Sequence, residues 1–438
     1  MQDAKPKCLF VNPPIYDFAA YDFWLRPLGL MTVAGMLRGR AELSLYDFLD
    51  RRHPLARGKG LQDDAWGRGK FLDQRVAKPE VFRKIRRYYR RFGLPQEDFE
   101  QYLRIQGPFD FIFVQTVMTY WYLGVQEVIQ TVRRHCPGGR IVLGGFYATA
   151  CREHALGLGA DWVASGQDLG PMWDWLGLGR PESNTPAAWE LYPEPVTAAI
   201  TLTRGCPYRC SYCYVPVAGG GFVPRGLNET IADFESARRA GVRHLAFYDD
   251  ALLYRPKDVL YPFLDYVKQA DGGVALHSPN AMHARLMTPE TARRLVAAGM
   301  KSFYLGYESV SVEFQRQTGA KVAGEDLAGA VEALRSAGVP AGAITAYEIL
   351  GHPLADMQGI EESMRFASSL GIRVMLSDFS PIPGTPDGQL CQGVVDLDEP
   401  LYHNKSAFPM LLLGPEKVDY YKNLCAALNR RNKQSGQD

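Results

Sequence analysis

The chain has 438 residues, a net charge of +1 and 46% hydrophobic residues. This composition argues against disorder, allows two or three domains and offers no general attraction to nucleic acid or an acidic membrane. No apolar run reaches the ~18–20 residues of a membrane span, and the polar start from Met1 to Lys7 lacks the apolar stretch of an export signal.

In chain order, Cys8–Asn12 reads as a buried strand ended by Pro13-Pro14. Gly29–Leu37 has helical apolar spacing, and Leu43–Phe48 reads as a second strand. Phe111–Thr116 is a third strand and Val125–Arg134 a helix. Ile141–Leu143 is a fourth strand, stopped by Gly144-Gly145, and Trp162–Ala164 a short fifth. Continuous apolar strands alternating with helices predict an α/β, Rossmann-like, doubly wound parallel sheet over residues 1–169. Ligands of such sheets sit at the carboxyl ends of the strands. Asn12, Thr116–Tyr120 and Gly144–Thr149 are thereby placed around one crevice. An insertion, 51–106, is rich in Arg and Lys, and Phe82–Phe92 within it reads as a basic helix. It is either a solvated face or lid, or a docking site for a phosphate-bearing or acidic substrate. Residues 170–195 hold several Pro and Trp with little periodicity and read as a linker.

A second alternating run fills 196–390. Strands are predicted at Ala198–Thr203, His244–Tyr248, Val274–His277, Ser302–Gly306, Ala343–Leu350 and Val374–Phe379. Helices are predicted at Leu227–Ala240, Pro256–Gln269, Thr288–Ala298, Asp326–Ala337 and Met357–Leu370. Six such units predict a partial TIM-type parallel barrel, with its site at the carboxyl ends of the strands. Residues 391–438 form a C-terminal extension ending in a polar tail, and Glu399–Asn404 is placed as a cap on the barrel mouth.

Three of eight cysteines lie within eight residues, Cys206, Cys210 and Cys213, just after the first barrel strand. Sparse cysteines in a long chain suggest a reducing cytoplasm, so the trio reads as metal ligands. Gaps of three and two residues let one loop wrap three thiolates around a cluster. Full ligation of a 4Fe–4S cluster takes four cysteines, so three leave one iron open. The alternative is a zinc site, which needs a fourth ligand from afar, His244 or His277.

Cys206-x3-Cys210-x2-Cys213, with Tyr212 before the last cysteine, resembles the signature of the radical S-adenosylmethionine (SAM) superfamily. Tyr214-Val215-Pro216 is similar to its branch with an N-terminal cobalamin-binding domain. Phe247-Tyr248-Asp249-Asp250, Ser278-Pro279-Asn280-Ala281 and Leu305-Gly306-Tyr307-Glu308-Ser309 resemble its further strand-end elements. So do Ile349-Leu350-Gly351-His352-Pro353 and Pro381-Ile382-Pro383-Gly384-Thr385-Pro386. The resemblance implies that Tyr212 lies by the adenine of SAM and that Asp249 or Asp250 takes its amino group, a charge-assisted bond. The family often has Gly-Gly-Glu there, and a solvated turn is the other reading. Glu308 becomes a ribose or amino contact, or a structural ion pair. Gly351 serves the adenine or a turn, and Asn280 reaches SAM or substrate, or makes a turn. Tyr347, Glu348 and His352 are candidates for substrate contact, and Cys391 is a second thiol or a spectator.

In the first half, Val11–Pro14, Arg26–Leu30 and Val142–Thr149 are similar to the cobalamin domain of that branch. Asn12, Thr116, Gly144 and Gly145 then become cofactor contacts, and Tyr120-Trp121-Tyr122 a cover for one face. The chain lacks an Asp-x-His-x-x-Gly motif, so no residue is assigned as a cobalt ligand. The resemblance implies an enzyme in which a cluster electron cleaves SAM to a 5′-deoxyadenosyl radical. The leading reading is cobalamin-dependent methylation of an unactivated carbon. The alternatives are another radical reaction, namely cyclisation, rearrangement, or C–S or C–C bond formation, and a non-catalytic iron–sulfur protein. Expected partners are a small-molecule or peptide substrate and an external flavodoxin- or ferredoxin-type electron donor. No membrane partner is expected, and no RNA-binding module follows the barrel.

Overall fold

The computed structural model describes residues 5–181, 185–270, 273–319 and 322–435. The chain packs as two compact units. The first holds the chain up to Ala198, with Glu235–Val242 and Leu397–Asn404. The second holds Ala199–Phe234, Arg243–Asp396 and the chain from Lys405 on.

Five strands of the first unit, β1 (Lys7–Asn12), β2 (Glu42–Asp47), β3 (Phe111–Gln115), β4 (Arg140–Gly144) and β5 (Trp162–Val163), make one sheet. Its order is β5-β4-β3-β1-β2, and every pair is parallel. The central strands are uniformly apolar because both of their faces are buried; Cys8–Val11 are 0% exposed. Strand order reverses between β1 and β3, the switch point where such sheets bind ligands. The crossovers use α1 (Leu28–Met36), α2 (Gln96–Gln106) and α3 (Tyr122–His135). Val125, Val128, Ile129 and Val132 of α3 are buried at helical spacing.

The insertion differs from expectation. Phe82–Phe92 is no helix: a 3₁₀ turn at Glu80–Phe82 leads to a strand at Arg90–Phe92. That strand pairs antiparallel with Ile15–Asp17 and with Asp73–Arg75. Phe82, Ile85, Tyr89 and Phe92 are buried, so their helical spacing marked a buried face correctly. Pairing with a strand edge then overrode local propensity. Gln96–Gln106, read as the end of the insertion, is α2, whose Phe99 and Leu103 are buried. The span read as a linker contains α4 (Gly170–Leu176), with Met172, Trp173 and Leu176 buried. Trp189 and Tyr192 are also buried.

In the second half of the chain β6 (Thr197–Ile200), β7 (His244–Phe247) and β8 (Ala275–His277) form one sheet. The strands β9 (Phe303–Glu308), β10 (Ile344–Leu350) and β11 (Arg373–Asp378) form another with the short strand Met282–His283. A parallel bridge from Leu276 to Met300 links the two. The helices α5 (Leu227–Ala240), α6 (Leu260–Ala270), α7 (Pro289–Ala297), α8 (Gly324–Ser336) and α9 (Met357–Ser369) alternate with the strands. This is the partial (β/α)6 barrel. The extension is not a bare polar tail: α10 (Pro415–Ser435) is fixed to the barrel by Asn429 on Val374 and Asn432 on the Ile372 carbonyl. Among the described residues no helix is long and apolar enough to cross a membrane.

Candidate active site

The cysteine loop starts where β6 ends, and Asp249, just after β7, braces that start. Its Oδ1 accepts bonds from the Leu202 N–H (2.9 Å), the Thr203 N–H (2.7 Å) and the Thr203 hydroxyl (2.7 Å). Burial pushes the Asp249 carboxyl up to about 7, while those donors pull it down. Gly205 then turns the chain with φ +68°, and a Cβ there would lie 2.6 Å from the Gly221 carbonyl oxygen. Only glycine fits both demands. Cys210 is buried, Cys206 and Cys213 are half-buried, and none of the three is in a disulfide. Gly319 leaves room for Cys210: a Cβ on it would sit 3.3 Å from the Cys210 Cα.

Cys206 faces an open cavity. Asp250, Gly306 and Glu308 line it from strand ends, and Tyr208, Tyr254 and His283 add aromatic wall. Glu308 ends β9 with φ +60°, beside a register shift between Gly306 and Glu308. A non-glycine residue in that conformation costs about 1–3 kcal/mol, strain that proteins keep at functional positions. Tyr212 hydrogen-bonds Glu308; burial, then Glu308, Cys210 and Cys213, raise its hydroxyl well above the usual range. Of the acidic pair, Asp250 lines the cavity while Asp249 holds the loop. Desolvation by the surrounding walls raises the Asp250 carboxyl.

The other sequence candidates divide. Asn280 donates its amide to the Tyr248 and Asp249 carbonyls, at 3.1 and 3.2 Å, so it fixes the end of β7. Gly351 has φ +82°, and the space for a Cβ is filled by Pro409 at 2.6 Å; the glycine serves a packed turn. Tyr347 stacks on Tyr304 (5.4 Å) and donates to the Pro279 carbonyl. Glu348 is the next residue on the same strand, so it points to the opposite face. It is 0% exposed and neither carboxylate oxygen has a hydrogen-bond partner among the described residues. Burial raises its carboxyl well above the usual range. Neither Tyr347 nor Glu348 is among the residues that line the cavity beside Cys206. His352 is buried against Asp387 at 2.7 Å, and Cys391 is buried with its thiol pushed up to about 12 by burial and by Asp387. Reasoning from sequence missed Tyr208, Tyr254 and His283; Tyr208 alone carried a signal, two residues after Cys206.

In the first unit Asn12 donates to Asp47 Oδ1 (2.7 Å), and Tyr192 donates to Asp47 Oδ2 (2.6 Å). Burial pushes Asp47 up to about 6 against these bonds. A cleft of about 300 Å³ lies beside them, lined by Arg26, Asp47, Arg51 and Tyr192. Thr116 is buried, and its carbonyl would lie 2.6 Å from a Cβ on Gly145, which has φ +91°. Tyr120 and Trp121 belong to a buried cluster with Ile15, Leu49, Phe71 and Phe92, and the Trp121 indole donates to Asp17. Tyr122 stacks on Tyr147 and donates to Glu399. Glu399–Asn404, expected on the barrel, therefore packs within the first unit. His403 bonds Thr119 (3.0 Å) and the Leu397 carbonyl, and Asn404 bonds Asp17.

Residues 200–367 match the family model of the Radical SAM superfamily. The chain carries a radical SAM domain. It is 26% identical over 247 residues to the tRNA-2-methylthio-N(6)-dimethylallyladenosine synthase of Halorhodospira halophila, covering 50% of each chain. It is 26% identical over 200 residues to the ribosomal protein uS12 methylthiotransferase RimO of Salinispora arenicola, covering 43% of this chain and 38% of that one. The chain thus spans half or less of the length of these curated relatives. In fold it is similar to the radical SAM methyltransferase TsrM of Kitasatospora setae, with a TM-score of 0.61 at 15% identity over 89% of this chain and 77% of that one. It is also similar to the cobalamin-dependent SAM radical enzyme OxsB, with a TM-score of 0.56 at 13% identity over 95% and 56%.

The radical SAM domain has the donor chemistry for its cluster: three cysteines outside any disulfide on one loop, with Cys206 facing the cavity. Among the described residues no three metal-ligating side chains converge on a single ion. A four-iron cluster takes each thiolate on a different iron. His244 and His277, the distant zinc candidates, bond each other at 3.1 Å. For a flat cofactor on the first unit, Gly144 and Gly166 offer open backbone. A Cβ on Gly144 would meet only Ala164, at 3.9 Å, and one on Gly166 nothing within 4 Å.

Proposed function

We propose that the protein is a cobalamin-dependent radical SAM methyltransferase acting on an unactivated carbon of a small molecule or peptide. The observation that carries this reading is the pairing, in one chain, of a radical SAM domain with a parallel sheet of switch-point topology. That pairing gives a fold similarity spanning 89% of the chain to TsrM, whose structure was determined with cobalamin and a [4Fe–4S] cluster bound. When bound, the cluster supplies the electron that cleaves SAM, and cobalamin supplies a methyl carrier.

The residues then take distinct tasks. Cys206, Cys210 and Cys213 hold the cluster. Asp250 takes the ammonium of SAM as a charge-assisted bond, and Glu308 takes a ribose hydroxyl, with Tyr212 orienting its carboxylate. Asp249 and Asn280 keep the strand ends in register beneath them. Tyr208, Tyr254 and His283 close the cavity against water. On the first unit, Asn12, Thr116, Gly144 and Gly145 shape the cofactor crevice. Electrons arrive from an external flavodoxin- or ferredoxin-type donor.

The test is anaerobic reconstitution with iron, sulfide and hydroxocobalamin, then desalting and metal analysis. The reading expects about four irons and near-stoichiometric cobalt per chain, with S-adenosylhomocysteine formed beside 5′-deoxyadenosine during turnover. Iron without cobalt, and 5′-deoxyadenosine without S-adenosylhomocysteine, would replace it with a non-methylating radical reaction.

A further inference from the structure

Ser211 lies between Cys210 and Cys213, so whatever holds it sets the spacing of the thiolates. Its N–H donates to the Thr318 carbonyl, and its carbonyl accepts the Asp387 N–H, both at 3.2 Å. Its hydroxyl donates to Asp387 Oδ2 at 2.6 Å. The same oxygen meets His352 Nε2 at 2.7 Å. His352 Nδ1 accepts the Leu354 N–H at 3.1 Å. A ring nitrogen that accepts carries no proton, so the hydrogen is on Nε2 and the imidazole is neutral. Asp387 and His352 are 3% and 1% exposed. Phe314, Phe379 and Tyr212 meet the imidazole edge-on, with ring centroids at 4.9, 4.7 and 6.3 Å.

The Asp387 carboxylate is thus buried, and its recorded partners are a hydroxyl, a neutral imidazole and backbone. A buried charge without a cationic partner is costly, and an amide would satisfy the same two donors more cheaply. Packing alone therefore does not account for the charge. A fixed anion beside an electron acceptor disfavours the added electron, and the low dielectric of the interior strengthens that effect. We propose that Ser211, Asp387 and His352 form a positioning relay that fixes the cysteine loop and lowers the reduction potential of its cluster. The inference rests on the radical SAM reading; these three are positioning residues and touch no reacting atom.

The experiment is redox titration of the reconstituted protein, followed by electron paramagnetic resonance (EPR) with and without SAM. Asp387→Asn keeps the shape and one acceptor oxygen and removes the charge. It should retain iron, raise the midpoint potential and alter the reduced-cluster spectrum. An exposed control, Asp265→Asn, which touches only the Arg294 pair, should leave all three unchanged. An Asp387→Asn protein with full iron and the midpoint and spectrum of the natural chain would overturn the relay. If Asp387→Asn fails to hold iron, His352 decides. His352→Leu should shift the midpoint or spectrum and His352→Gln, which keeps a neutral donor, should restore it; a His352→Leu protein identical to the natural chain would equally overturn the relay. A natural chain that binds no iron would refute the radical SAM reading itself, a distinct outcome.

Discussion

The carboxyl ends of the two sheets are built differently. In the first unit the polar groups there are consumed by one another: Asn12 and Tyr192 on Asp47, Trp121 on Asp17. In the second unit the strand ends carry Asp250 and a strained Glu308 into an open cavity beside Cys206. Satisfied groups give rigidity, whereas groups that line a cavity at a conformational cost are placed to meet a ligand. The contrast teaches that one sheet spends its strand-end polar groups on internal bonds while the other turns them toward a cavity.

The largest effect should come from the cysteines. Cys210→Ala should abolish iron retention and 5′-deoxyadenosine formation together, read by metal analysis and product chromatography, while leaving the far-ultraviolet dichroism near that of the natural chain. Next comes the aromatic cluster. Trp121→Ala should cost about 3–5 kcal/mol in denaturant unfolding, the usual loss for a buried tryptophan. Lost cobalamin retention at unchanged stability would instead make the indole a ligand face and dissolve the contrast.

Asp47 tests the same unit by pH. Its carboxyl is raised to about 6 from an ordinary 3.8. The folded chain therefore holds a proton that the unfolded chain has lost between those values. Stability from this group is greatest below pH 4 and falls as pH rises through 6, by roughly 3 kcal/mol at most. Asp47→Asn should flatten that slope between pH 4 and 6; an unchanged slope would place the titrating group elsewhere. Smallest is Glu308→Gln, which keeps shape and loses charge. A charge-assisted bond is worth about 1.5–3 kcal/mol, so SAM affinity should fall about 10- to 100-fold, read by equilibrium dialysis, with iron content unchanged.

The barrel was largely legible because each βα unit repeats an apolar run, a turn and an amphipathic helix. All six strands fall within a few residues of where the apolar runs placed them. The cysteine spacing was legible because the loop is local. The relay was not: Ser211 and Asp387 are 176 residues apart, and no periodicity joins them. Phe82–Phe92 misled because helical spacing marks a buried face without saying that the backbone is helical. Tyr347 and Glu348 were a readable error, since neighbours on a strand face opposite ways. The stretch Glu399–Asn404 was placed on the barrel by sequence position alone, whereas His403 and Asn404 find their partners on the first unit.

The central claim is a cluster on Cys206, Cys210 and Cys213 with one iron open to SAM. Its most direct measurement is EPR of the dithionite-reduced, reconstituted protein before and after SAM is added. The account predicts a reduced 4Fe–4S signal whose g-values shift on SAM binding and which is absent from Cys206→Ala. A signal indifferent to SAM, or one that survives Cys206→Ala, would contradict it.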